Sequence, residues 1–258
     1  MPRLRFAASV SSWIDRLLGT ALAGALLMLA LTTLTAWPGS ARAERVEGNG
    51  EAATEQRSPG AFDTIQTQGF NVTVRQGATP SVSVQADRNL LPLLETVVDS
   101  GGTLQLRWKR GTSLKTVVRP LVQVTVTELR GLQVQGSGDV LAEGLKQPRL
   151  RTQISGSGKV QLNDAAIDEL ALEVSGSGDV IASGQATQLT VKIAGSGDVK
   201  APQLRADDVR VSIAGSGSAD VQAQRKLDIA IAGSGDVRHT GSATVQTKVA
   251  GSGSVKRY

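Results

Sequence analysis

The chain has no cysteine, one histidine and few aromatic residues: three Phe, three Trp and one Tyr among 258. Without cysteine there is no disulfide framework, no thiol nucleophile and no lipoprotein attachment site. A single histidine, His239, rules out a histidine metal cluster, and its place in Asp236-Val237-Arg238-His239 reads as an ordinary surface position. A dense run of positive charge is missing too. Arg107, Lys109 and Arg110 form the tightest basic cluster, which reads as the solvated side of a strand, so nucleic acid is not an expected partner.

The N-terminus explains much of the formal charge of +5. Arg3, Arg5 and Arg16 precede the apolar run Leu17 to Leu31, and Ala41-Arg42-Ala43 follows. A basic stretch, an apolar core and an Ala-x-Ala site read as a secretory signal peptide over residues 1–43, cleaved before Glu44; the alternative is an uncleaved membrane anchor. Removing the leader leaves 24 basic and 22 acidic residues, a charge of +2. The aromatic residues left are Phe62, Phe70, Trp108 and Tyr258, too few to build platforms for sugar rings. The expected location is the periplasm or the surface of a bacterium.

What the chain does have is a repeat. Gly-Ser-Gly begins at Gly136, Gly156, Gly176, Gly195, Gly215, Gly233 and Gly251, at steps of 18–20 residues. Two positions before each triplet stand Val134, Ile154, Val174, Ile193, Ile213, Ile231 and Val249, all β-branched. Apolar residues also recur at four and six positions before it, and a Val falls two positions after it in six of the seven repeats. The period is 2 rather than 3.6, so these are half-buried strands, and helical repeat arrays are excluded. The fold class that follows is all-β: a single-stranded parallel β-helix with about 20 residues per coil and stability passed between neighbouring coils. Counting by two from the inward β-branched residue lands on both glycines. Both are therefore expected to face inward at a corner, with the serine outward and the serines and aspartates meeting corner N–H groups.

The expected organisation is a polar segment over 44–60 with a short strand near Val46, an irregular β region over 61–130 that starts and caps the coil, and the regular β-helix over 131–258. Alternation predicts strands at Phe70–Arg75, Ser81–Gln85, Thr103–Trp108 and Leu121–Thr127, and Asn89–Val98 reads as one helical turn with Pro92 near its start.

Several segments carry a family resemblance: Arg45-Val46-Glu47-Gly48-Asn49-Gly50, the run from Glu55 to Ile65, Gly69 to Gly77 (GFNVTVRQG), Thr103 to Trp108 and the recurring Gly-Ser-Gly-Asp-Val. Together they resemble the auto-transporter adhesin, head GIN domain family. That resemblance implies an exported β-helical protein and supplies no catalytic residues.

Three functional classes can be weighed from these residues. The favoured one is a non-enzymatic adhesion, binding or envelope-associated module whose partner is an envelope, surface or carbohydrate ligand. The second is a polysaccharide-active enzyme, which would need convergent acids and a basic side chain. The third is a weak calcium module. Asp139, Asp179, Asp198 and Asp236 each follow a triplet and Asp220 comes slightly later; Asp179 and Asp198 are the expected vertical neighbours and the expected metal ligands. The last repeat, Gly251 to Val255, is expected to expose an open coil through which two copies associate, in a two-fold arrangement.

Overall fold

The computed structural model describes residues 44–258, so the leader expected over 1–43 lies outside the described residues. The regular part is a parallel β-solenoid. Four long strands, Lys159–Gly176, Asp179–Gly195, Asp198–Gly215 and Ser218–Gly233, each bend around the axis and make one coil. Each hydrogen-bonds in parallel to the next, and equivalent residues of the repeat stack: Ile154 on Val174, Val174 on Ile193, Ile193 on Ile213, Ile213 on Ile231. Coils are about 20 residues long.

Period-2 alternation produces the core directly. Ile154, Val174, Ile193, Ile213 and Ile231 are at most 3% exposed, and Val160, Val180, Val199, Ala219 and Val237 form a second buried column just after the corner. Burying one such aliphatic side chain is worth about 1.5–3 kcal/mol, so a ladder of them is the main stabilising term. The unequal repeat lengths are absorbed on the far side from the triplets, where the register slips between Leu162 and Ala165, Ile181 and Ser183, and Ala201 and Arg205.

The N-terminal half starts the stack and then closes it. Thr64–Gln68 and Asn71–Gln76 form a coil in the register of the repeats, parallel to Gly131–Gly136 and Asp139–Glu143 on one side. On the other side they pair in parallel with Thr103–Trp108 and Leu121–Val126. Antiparallel strands finish the end: Leu94–Val98 on Thr103–Trp108, Ser81–Asp87 on Leu121–Val126, and Ala52–Arg57 on Ser81–Asp87. The chain thus leaves the stack after Gln76, builds the cap, and returns at Gly131 beside the coil it left. Phe70 packs against Trp108 at 5.0 Å between ring centroids.

Two local details are added. The single helical turn within Asn89–Val98, with Pro92 near its start, is present as the 3-10 turn Leu91–Leu93, and the rest, Leu94–Val98, is a strand, because Thr103–Trp108 offers it an open edge. The polar segment 44–60 holds two strands: Glu44–Glu47 pairs with Thr112–Lys115, and Ala52–Arg57 is part of the cap.

A buried carboxylate ties this region together. Asp87 is fully buried and accepts backbone hydrogen bonds from Gly50 (2.8 Å), Val117 (3.1 Å) and Val118 (3.1 Å). Nearby, the Arg57 guanidinium donates to the Leu91 carbonyl at 2.7 Å and also to that of Leu94.

Candidate functional site

Each corner is set by its two glycines, for different reasons. The first glycine has φ of 119–131° from Gly156 onward, a region L side chains rarely adopt. A Cβ on Gly195 would lie 2.4 Å from the Gly176 carbonyl oxygen of the coil below, not in the core. Only the second glycine faces inward as expected: a Cβ on Gly197 would lie 2.7 Å from Val174 Cγ1 and 2.3 Å from the Gly178 oxygen. The serine between them is exposed, and its backbone N–H continues the ladder, from Ser196 to the Gly176 oxygen at 2.9 Å and from Ser216 to the Gly195 oxygen at 2.9 Å. Coil-to-coil carbonyls, rather than serine hydroxyls, therefore satisfy these corner N–H groups.

The expected aspartate ladder is present but shorter. Asp139, Lys159, Asp179, Asp198, Ser218, Asp236 and Ser254 occupy one column, and Asp179 stacks on Asp198. Asp198 is already engaged: its Oδ1 accepts from the Ser218 N–H at 3.2 Å and hydroxyl at 2.6 Å, and Oδ2 lies 3.6 Å from Lys200 Nζ. Asp236 repeats this with Ser254, and those hydrogen bonds, the hydroxyl's first, hold its carboxyl below the usual range. Asp220 lies outside the column. It stacks between Lys200 and Arg238 and takes two bonds from the Arg238 guanidinium, at 2.7 and 2.6 Å. Among the described residues no three His, Asp or Glu side chains gather as a metal cluster.

The other outward columns carry ions paired between coils. Arg149 lies 3.1 Å from Glu169, Arg151 2.8 Å from Glu173, and Lys192 3.5 Å from the same Glu173. Burial pushes the Glu173 carboxyl up, but hydrogen bonds from Arg151 and Gln153, with the charges of Arg151 and Lys192, outweigh it and leave it below the usual range. Arg225 chelates Asp208, which is held low by that hydrogen bond first. Arg149, Arg151 and Glu169 of these pairs line an open groove of about 690 Å³ that also includes Glu128, Arg130 and Pro148. A second groove, of about 430 Å³, is lined by Asp168, Gln185, Thr187, Arg205 and Asp207 on the bend of the coil.

His239 is not at the surface. It occupies an inward column between Val221 and Arg257, is 8% exposed, and has its pKa lowered by burial and then by the Arg257 charge. Sequence reasoning also passed over Asp87 and Gln147. Gln147 is buried where neighbouring coils carry apolar residues; its Oε1 accepts from the Leu129 N–H at 2.9 Å and its amide donates to the Arg149 carbonyl at 3.0 Å. Its inward parity was a usable signal, while nothing local marked Asp87.

Fold and surface define a β-solenoid repeat protein with extended, charge-paired sheet faces. Within that class the chain belongs to the family described as "Putative auto-transporter adhesin, head GIN domain", whose profile matches residues 61–243. Solved structures share the fold. A protein from Parabacteroides distasonis described as a "putative lipid binding protein" is 27% identical over 83% of this chain and 100% of its own, with a TM-score of 0.69. A "putative adhesin" from Bacteroides fragilis is 24% identical over 83% of this chain and 100% of its own (TM-score 0.75). One from Parabacteroides merdae is 25% identical over 84% and 100% (TM-score 0.68). Among proteins with curated functions, none matches the sequence.

Proposed function

We propose that the protein is an exported, non-enzymatic adhesion module of the bacterial periplasm or cell surface, holding a surface or carbohydrate ligand against its long sheet faces. Family membership supports export and adhesion. The observation that carries the non-enzymatic reading is how the charges of the faces are used. Glu169, Glu173, Asp208 and Asp228 each have a cation of the neighbouring coil within 4 Å, and Glu128 has Arg130 two positions along its own segment, so all five are neutralised. A general acid needs a carboxyl held above its usual range, and the shifts on Glu173 and Asp208 run the other way.

The test is retention on surfaces. Beads carrying the purified protein should adhere to bacterial envelope fractions or immobilised polysaccharides, and adhesion should persist in an Asp168→Asn, Asp207→Asn variant. Release of reducing sugar by the protein, lost in that variant, would replace the adhesion reading with a polysaccharide-active enzyme using the groove around Arg205.

A further inference from the structure

The last coil differs from all those beneath it. Every residue of Thr244–Gly251 is exposed, and this strand pairs only with Lys226–Gly233 below. Ser254–Arg257 likewise pairs only with Asp236–His239. Among the described residues the outer N–H and C=O groups of both strands therefore have no strand partner. Val245 and Val249 sit at core register, above Leu227 and Ile231, yet are 38% and 42% exposed where those beneath are 0% and 3%.

Charge distinguishes what could cover this edge. From Thr244 to Tyr258 the sequence holds Lys248, Lys256 and Arg257 and no acid. Inside the solenoid, cations of the same two outward columns are met by an acid one coil away: Lys192 by Glu173 at 3.5 Å, and Arg238 by Asp220 at 2.6 Å. Lys248 instead stacks on Ala230, and Lys256 stacks on the like-charged Arg238. Lys256 is near enough to Asp236 for its charge to help lower that carboxyl, but among the described residues neither lysine has an acid within 4 Å, so an acid in contact with either would come from the open side. A second copy in two-fold pairing would bring the same three cations onto one seam, an unfavourable arrangement at strand-pair distance.

We propose that the C-terminal coil is a docking edge for an extended acidic segment of a partner protein, which adds as the next strand. Its alternate apolar residues would cover Val245 and Val249, its backbone would take up the open N–H and C=O groups, and its acids would face Lys248 and Lys256. This surface is the coil end rather than the sheet faces, so it stands independently of the adhesion reading.

The test uses two synthetic peptides one coil long, with valine at alternate positions and either glutamate or lysine at the two positions in register with Lys248 and Lys256. Fluorescence anisotropy with the purified protein should show binding of the glutamate peptide, weakening as salt is raised. The Lys248→Glu, Lys256→Glu variant should lose at least about tenfold in affinity and gain binding of the lysine peptide. Lys248→Gln with Lys256→Gln should fall between. Equal binding of the two peptides, or no change on charge reversal, would overturn the proposal. So would a protein mass that rises with concentration while the glutamate peptide is excluded, because a second copy would then own the edge.

Discussion

Arg238 grips Asp220 from one coil above through two parallel charge-assisted hydrogen bonds, Nε to Oδ1 at 2.7 Å and the terminal nitrogen to Oδ2 at 2.6 Å. The carboxylate side chain is only 12% exposed, and Lys200 stacks on its other side. In this column Asp220 is the one anion in a run of Lys200, Asp220, Arg238 and Lys256. Asp220→Ala should therefore lower the melting temperature, by roughly 2–4 °C for each kcal/mol lost in a domain of this size. The Arg238→Ala, Asp220→Ala pair should lose less than the sum of the two single changes. Circular dichroism melts of the four proteins measure this, and additive losses would mean the contact contributes nothing.

The corner geometry separates residues that are adjacent in sequence. Gly195→Val meets both a disfavoured φ and a backbone oxygen 2.4 Å from its Cβ, and should destabilise by about 3 kcal/mol or more. Ser196→Ala changes an exposed side chain and should fall within about 0.5 kcal/mol of the parent. Urea denaturation distinguishes them, and comparable losses would show that the corners do not govern stacking.

Acid should weaken the protein in two steps. His239 has its pKa lowered from 6.5 by burial and by Arg257, so the unfolded chain takes up the proton more readily. Its contribution is full above 6.5 and is lost as pH falls from there through the folded value. The carboxyls of Glu173, Asp208 and Asp236 are also lowered, and their contribution is lost only below about 4. Melting temperature should therefore drop between pH 7.5 and 5.5 in the parent and stay level in His239→Leu. A parent curve flat across that interval would contradict the assignment.

Calcium is expected to bind no more tightly than about millimolar. Asp179 and Asp198 are neighbours, but Asp198 already accepts from Ser218 and lies near Lys200, which leaves few free oxygens for an ion that takes six to eight. Calorimetry checks this, and micromolar binding that survives Asp198→Asn would locate a different site.

The regular half was legible because its signals repeat. Ile193 alone is an ambiguous apolar residue; seven β-branched residues at one phase fix both strand and register. The glycines show where that reasoning stops, since parity assigns both to the interior and says nothing of the backbone oxygen one coil below. The cap was only partly legible. Leu94 to Val98 alternates too weakly to separate strand from helix, and Ala52–Arg57 is polar, held by its pairing with Ser81–Asp87 rather than by its own pattern. Asp87 could not be anticipated because its three donors come from Gly50, Val117 and Val118, at least 30 positions away. Asp220 was misplaced by the longer Ser218-Ala219 lead after its triplet, which only the register reveals.

The departure of the chain after Gln76 and its return at Gly131 impose an order on assembly. The first coil cannot be flanked on both sides until some fifty intervening residues have folded over it, as the Arg75–Glu143 contact across 68 positions illustrates. Lys146 still bonds back to Gln76, but from Gln147 onward each strand of the stack pairs with the coil just before it. A chain delivered N-terminus first would thus pass one slow, long-range closure and then wind on coil by coil, each finished edge serving as the template for the next twenty or so residues. Such growth advances like a ratchet, and every added coil makes retreat through the opening it came from harder.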